Sequence, residues 1–302
     1  MSPLRDRLED LLGAGRPAPF GAGHSRGTAK LGGWVIEDLR FDGCEEIPAL
    51  FLRPPDGHPP VPAVLYCHAH GGTYKVGRDE LTGGRPALQA PWAADLAASG
   101  IAALCLEMPC FGQRRSPGEP ARAKAALWRG GTLWGQMLAE QRAGLDWLAA
   151  HPMVRADRIG AMGFSMGSTL AFWLAALDPR IAAAAACCSL ADLATLVGTG
   201  AHDGHGIYMT VPGLLPVART GQIAGLAAPR PLFVGAGMRD WSTPPDAFAI
   251  ARADLDRAYA AAPAAPAALT IHVEPGTGHE ETPAMRAAAR GFLRRHLGAV
   301  AA

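Results

Sequence analysis

From Trp34 to the C-terminus, short apolar runs bounded by glycine and proline alternate with longer helix-like segments, and this alternation restricts the chain to few architectures. Strands that alternate with helices build a mostly parallel sheet, because parallel neighbours need a crossover connection and the crossover helices then cover both faces. The expected strands are Trp34–Leu39, Pro48–Leu52, Ala63–Cys67, Ile101–Leu106, Arg158–Met162, Ile181–Cys187, Pro231–Gly235 and Leu269–Val273. The expected helices are Pro86–Ala98, Thr132–Ala150, Met166–Leu177, Pro245–Ala261 and Thr282–Leu297. The reading is therefore an α/β fold with a mostly parallel eight-stranded sheet and helices on both faces. The first two strands have no helix between them and should form an antiparallel edge.

Length and charge narrow the partners. A chain of 302 residues buries roughly three quarters of its unfolded surface and needs no metal or disulfide to hold a core. Residues 31–302 read as one α/β domain and residues 1–30 as a helical extension. Two stretches break the alternation, near 109–131 and 198–228. Both follow strands on the side where open α/β sheets bind ligands, so they read as lid-like insertions. The Ala- and Pro-rich stretch 260–268 reads as a helix-to-strand connection. Twenty-eight basic residues against twenty-seven acidic ones leave no basic face for nucleic acid or an anionic membrane. Charges interrupt MSPLRDRLEDLLGAG, which has no secretory h-region, and the longest apolar run, around Ile181–Cys188, is too short to span a bilayer. A cytoplasmic protein is expected, with a homo-oligomer left open. Cys44, Cys67, Cys105, Cys110, Cys187 and Cys188 show no zinc spacing; Cys67, Cys105, Cys187 and Cys188 lie in or at the end of apolar strand-like runs and read as small buried hydrophobes.

The chemistry is concentrated in Arg158-Ile-Gly-Ala-Met-Gly-Phe-Ser-Met-Gly-Ser-Thr. Gly163-Phe-Ser165-Met-Gly167 is G-x-S-x-G, a weak signal alone. An apolar strand runs into it and a helix leaves it, which is the strand–turn–helix of a nucleophile elbow. The flanking glycines suit a turn too tight for side chains. Ser165 then stands at a helix N-terminus, where the Met166 N–H and the helix dipole favour a developing oxyanion. The loop Cys67-His68-Ala69-His70-Gly71-Gly72 follows another apolar strand, and by position the His70 backbone N–H is the second oxyanion donor.

A serine hydroxyl needs a base, and the base needs a group that fixes its tautomer. Asp240 follows the strand Pro231–Gly235, and His279 follows Leu269–Val273 on the glycine-rich loop Pro275-Gly-Thr-Gly. Both come after Ser165 in the order acid, then histidine. Asp192 and Asp246 are alternatives for the acid. Four imidazoles, His68, His70, His202 and His205, are an alternative zinc set, but the elbow accounts for the chain without metal or cofactor.

These residues together resemble the α/β hydrolases related to dienelactone hydrolase, cephalosporin-C deacetylase and acetyl xylan esterase, from about Trp34 to the C-terminus. The lead-in His151-Pro-Met-Val-Arg-Ala-Asp-Arg-Ile-Gly, the segment Leu226-Ala-Ala-Pro-Arg-Pro-Leu-Phe and the segment His205-Gly-Ile-Tyr-Met-Thr-Val-Pro-Gly-Leu-Leu are similar to stretches of that group. The resemblance implies an α/β-hydrolase fold, triad roles for Ser165, Asp240 and His279, and oxyanion roles for Met166 and His70. It implies a small-molecule ester substrate, with acetyl the first candidate. Three departures stand out. Dienelactone hydrolases proper carry a cysteine nucleophile where this chain has Ser165. Ala69 replaces a glycine of the deacetylases, which at positive φ would cost about 1 kcal/mol. Ser168 stands where a glycine is common.

Substrate contacts are expected from the bulky residues of the insertions and beside the acid, namely Trp128, Trp134, His205, Tyr208 and Trp241, with Met209 near them. Arg114 and Arg115 either meet an anionic substrate or are solvated, and Glu107 is a candidate partner for one of them. The competing functions are a prolyl-oligopeptidase-like serine peptidase and a non-catalytic binding protein on the same fold.

Overall fold

The computed structural model describes residues 3–13, 20–43, 45–262 and 268–298. Cys44 and residues 263–267 of the Ala- and Pro-rich connection lie outside the described residues. The strands are β1 His24–Leu31, β2 Trp34–Phe41, β3 Ile47–Arg53, β4 Val61–Cys67, β5 Ala102–Leu106, β6 Val154–Phe164, β7 Ile181–Cys187, β8 Leu232–Gly237 and β9 Leu269–Glu274. They form one sheet in the order β1-β2-β3-β5-β4-β6-β7-β8-β9. The pairs β1–β2, β2–β3 and β3–β5 are antiparallel and the pairs from β5–β4 to β8–β9 are parallel.

The helices are α1 Pro3–Leu12, α2 Glu80–Gly83, α3 Trp92–Ala98, α4 Glu119–Trp128, α5 Leu133–Ala150, α6 Met166–Leu177, α7 Leu193–Thr199, α8 Thr220–Gly225, α9 Pro245–Ala261 and α10 Pro283–His296. They cover the sheet on both sides, so the inner strands are apolar on both faces. In β4, Ala63, Leu65 and Cys67 enter one core while Val64 and Tyr66 enter the other, as strand alternation requires. Thr132 and Thr282 cap α5 and α10, accepting from the Gly135 and Met285 N–H groups, which is why both read as helical from sequence. The helix expected from Pro86 begins only at Trp92. Pro91 stands before it, and the residue ahead of a proline is pushed out of the helical region.

Among the described residues the sheet has nine strands rather than the expected eight. The extra one, β1, is HSRGTAKL, exposed along nearly its whole length. It carries no apolar alternation and joins the edge by main-chain pairing with β2, with exposed pairs His24–Asp42 and Arg26–Glu46 beside it and Leu31 against the core. All of it but Leu31 lies within residues 1–30, where only helix was expected. α1 is present there and docks: Leu8 and Leu12 are buried, and Arg5 donates to the Ala176 and Leu226 carbonyls, each at 2.6 Å. The two insertions hold structure of their own, α4 in the first and α8 with two 3-10 turns in the second. No helix among the described residues is long and apolar enough to cross a membrane. The five described cysteines are free and buried.

Candidate active site

Six parallel strands end on one side of the sheet, and residues just beyond them converge there. β6 delivers Ser165, which takes φ 56° and ψ −121° between strand and α6. The Ser165 N–H donates to the Cys187 carbonyl at 2.8 Å, so β7 holds the turn. A Cβ on Gly163 would stand 2.5 Å from the Cys67 carbonyl oxygen, and one on Gly167 would overlap that same oxygen. The glycines are therefore needed because the elbow packs directly on the end of β4.

β8 and β9 deliver the other two groups. His279 Nε2 lies 2.9 Å from Ser165 Oγ, and His279 Nδ1 lies 2.8 Å from Asp240 Oδ2. Asp240 is buried. The loops carrying the pair are tied together: the Met238 N–H donates to the Glu274 carbonyl and the Arg239 N–H to the Thr277 carbonyl, at 3.0 and 2.8 Å. Glu281 pins the far side through the Trp92 Nε1–H at 3.0 Å and the Arg286 guanidinium at 2.8 Å. Ser242, which sequence reading missed, donates its hydroxyl to Asp240 Oδ1 at 2.7 Å and lies 2.9 Å from His279 Nδ1. Its N–H also donates to Asp240 Oδ1 at 2.7 Å. An aspartate binding the N–H two residues on is an Asx turn, so the spacing Asp240-Trp-Ser242 was the available signal. Asp192 caps α7 and pairs with Arg219, and Asp246 lies in the first turn of α9. Neither replaces Asp240 beside His279.

The loop after β4 separates its two histidines. His68 is fully buried; its Nδ1–H donates to the Ala69 carbonyl at 3.1 Å and its Nε2 accepts from the Met108 N–H at 3.2 Å. Burial pushes this imidazole down to about 3, so it is neutral. The Ala69 N–H is taken by Glu80 Oε2 at 3.0 Å. The next amide, that of His70, meets no acceptor among the described residues, and neither does that of Met166. The His70 ring turns away to Glu119, with Nε2 at 2.6 Å from Oε2, while its Nδ1 accepts from the Gly72 N–H at 3.0 Å. Ala69 is not at positive φ. Gly71 and Gly72 carry the left-handed turn instead, at 54° and 63°, so the substitution for glycine at 69 brings no backbone strain. Among the described residues no group of three or more His, Cys, Asp or Glu is placed to hold a metal, and the four-imidazole set is not assembled.

A narrow cleft opens at Ser165 and Ser242 and is walled by Trp134, Thr169, Trp173, His205, Tyr208 and Leu214. Burial disfavours protonation of His205. Of the expected contact residues, Trp134, His205 and Tyr208 line this cleft, and Met209 does too. Trp241 is 58% exposed and faces the His279 ring at 5.6 Å between centroids. Trp128 is corrected: it is 88% exposed at the end of α4 and is not part of the cleft lining. Arg114 is neither solvated nor in the cleft. It is buried among Glu45 and Glu140 and donates to the Glu107 carbonyl, not to its carboxylate. Arg115 donates to the Gly112 carbonyl. The Glu107 carboxylate accepts the N–H groups of Arg78 and Gln113 instead.

Comparison with known proteins agrees with this architecture. The sequence model of the dienelactone hydrolase family matches residues 49–192, a span that includes the elbow and the loop after β4. The Bacillus subtilis (strain 168) protein named "Putative hydrolase YtaP" is 36% identical over 266 residues, covering 87% of this chain and 88% of its own. Among solved structures, acetyl xylan esterase 1 from Thermoanaerobacterium sp. JW/SL YS485 superposes with a TM-score of 0.67 at 17% identity, covering 97% of this chain and 92% of that one. A glucuronoyl esterase from Solibacter usitatus gives 0.68 at 15% identity, with 97% and 92% covered.

Proposed function

The chain belongs to the dienelactone hydrolase family within the α/β hydrolases, and on that premise we propose that it is a serine carboxylic-ester hydrolase acting on a small acyl ester through an acyl-enzyme. The observation that carries the reading is the chain of hydrogen bonds from Ser165 Oγ through His279 to Asp240, at 2.9 and 2.8 Å, with the serine held on a strained turn at a helix N-terminus.

In this mechanism His279 Nε2 takes the Ser165 proton as Oγ attacks the ester carbonyl. The tetrahedral oxyanion is held by the N–H groups of Met166 and His70. The C–O bond to the alcohol breaks and the alcohol leaves with the proton from His279. Water then gives a proton to the same nitrogen and attacks the acyl carbonyl; the C–Oγ bond breaks, Ser165 takes the proton back from His279, and the acid is released. Asp240 stays ionised and holds the imidazole with Nδ1 protonated, and Ser242 occupies the other carboxylate oxygen. The narrowness of the cleft and the acetyl ester in the name of one structural neighbour favour a short acyl group.

The test is hydrolysis of p-nitrophenyl esters from acetyl to octanoyl by wild type and Ser165→Ala. The expected result is a maximum at acetyl and a fall in kcat on the order of 10⁶ in the mutant. Undiminished hydrolysis by Ser165→Ala would overturn the mechanism. Dipeptide amides in the same assay separate an esterase from a peptidase, and labelling by a fluorophosphonate separates both from a non-catalytic protein.

A further inference from the structure

The buried ion pair Arg85–Glu80 lies outside the triad, and sequence gave no reason to single it out. Its guanidinium and carboxylate are 4% and 0% exposed. Both come from the short segment between β4 and α3: α2 begins at Glu80, and Arg85 follows it in the turn toward Pro86. Arg85 Nη2 donates to the Ala69 carbonyl at 2.8 Å. Glu80 Oε2 accepts from the Ala69 N–H at 3.0 Å, and Oε1 accepts from the Tyr66 hydroxyl at 2.8 Å. The pair thus grips Ala69 on both its amide and its carbonyl. A side chain at Gly71 would collide with the Arg85 guanidinium, so the loop backbone rests directly on this charge.

We propose that Arg85 and Glu80 are the positioning residues of the oxyanion hole, aiming the His70 N–H; this rests on the esterase reading above. The physical link is the peptide group itself. A trans peptide is planar, with its C=O and N–H on opposite sides. The Ala69 carbonyl and the His70 N–H belong to the same peptide. Fixing the carbonyl from one side therefore fixes where the N–H points on the other. That carbonyl takes two donors, the Arg85 guanidinium and the His68 Nδ1–H. A cation on the carbonyl also polarises the peptide and strengthens its N–H as a donor. Stability alone is a weak reason for a buried ion pair, since apolar replacements of such pairs are often neutral or stabilising. Preorganised donors at a reacting carbonyl are a strong one.

The experiment compares kcat and KM for p-nitrophenyl acetate, and Ki for a short alkyl trifluoromethyl ketone, in wild type, Arg85→Met, Arg85→Lys and Ser165→Ala. The ketone adds to the serine and places an oxyanion in the hole. For Arg85→Met the expected result is kcat lower by about 10- to 100-fold with KM within about twofold, and Ki raised by the same factor as kcat falls. Arg85→Lys should recover part of both losses, because it keeps the charge without the planar fork. A folded Arg85→Met with kcat within about threefold of wild type, or with a loss in KM alone, overturns the inference while a dead Ser165→Ala leaves the esterase reading standing. A fully active Ser165→Ala overturns both. If Arg85→Met does not fold, Arg85→Lys decides: a kcat lower by about 3- to 10-fold at unchanged KM supports the role, and an unchanged kcat overturns it.

Discussion

Ser165 holds a backbone conformation that costs a non-glycine residue about 1–3 kcal/mol and persists only where its surroundings over-determine it. What over-determines it is the contact of the elbow with the end of β4. Gly167→Ala should therefore lower stability by roughly 3 kcal/mol or more and abolish ester hydrolysis, since the new methyl meets the Cys67 carbonyl. A urea midpoint equal to wild type would contradict that account. Ser242 makes a different kind of contribution. It donates twice to one oxygen of Asp240, leaving the other oxygen for His279. Ser242→Ala removes the hydroxyl but keeps the N–H bond, so kcat should fall by about tenfold and stability by about 1 kcal/mol. Steady-state kinetics beside a urea melt reads both; a kcat indistinguishable from wild type would leave Ser242 without a part in holding the acid.

At the scale of elements, α4 binds the two insertions to the loop after β4. Glu119 opens that helix, and its buried carboxylate receives the His70 ring at 2.6 Å, the Tyr74 hydroxyl at 3.1 Å and the Tyr208 N–H at 3.1 Å. Burial works against its ionisation, but these bonds outweigh it and hold the carboxyl below the usual carboxylate range. The stabilisation is thus present above about pH 4.3 and is lost as pH falls through the lower folded value. Glu119→Ala should release the amide of Tyr208 to faster hydrogen exchange and lower kcat, with Glu119→Gln between it and wild type. Unchanged exchange at Tyr208 would show that the segment is held by packing alone. The far end of the same helix gives the opposite expectation. Trp128 is 88% exposed, so Trp128→Ala should change stability by no more than about 0.5 kcal/mol and leave kcat and KM as they are. A shifted KM in that variant would return Trp128 to the substrate site.

Across the whole molecule, burial favours the neutral form of His68, His151, His205 and His296. The unfolded chain protonates its histidines near pH 6.5, whereas folded His68 resists down to about 3. Stability should therefore decline as pH drops below about 6.5, by up to about 1.4 kcal/mol per pH unit from this residue. Urea midpoints at pH 7.5, 6.5 and 5.5 test it, with a shallower decline expected in His68→Gln; equal midpoints at 7.5 and 5.5 would contradict it. All eight expected strands are present, and helices such as Met166–Leu177 run to the expected residues, because apolar periodicity and the sterics of glycine and proline act over a few neighbouring residues. The same local rules pointed to Ser165 on a strand–turn–helix and placed Asp240 and His279 just beyond strands. They could not reveal β1, whose polar, exposed residues join the sheet mainly through backbone pairing with β2. Nor could they foresee that Trp128 turns to solvent, that Arg114 is enclosed by Glu45 and Glu140, or that Arg85 and Glu80 clasp Ala69. Sequence by itself determined the layered α/β order and which side chains stand at the strand ends. Tertiary structure alone decided which of them share hydrogen bonds, because those partners meet only when loops far apart in the chain pack over the same edge of the sheet.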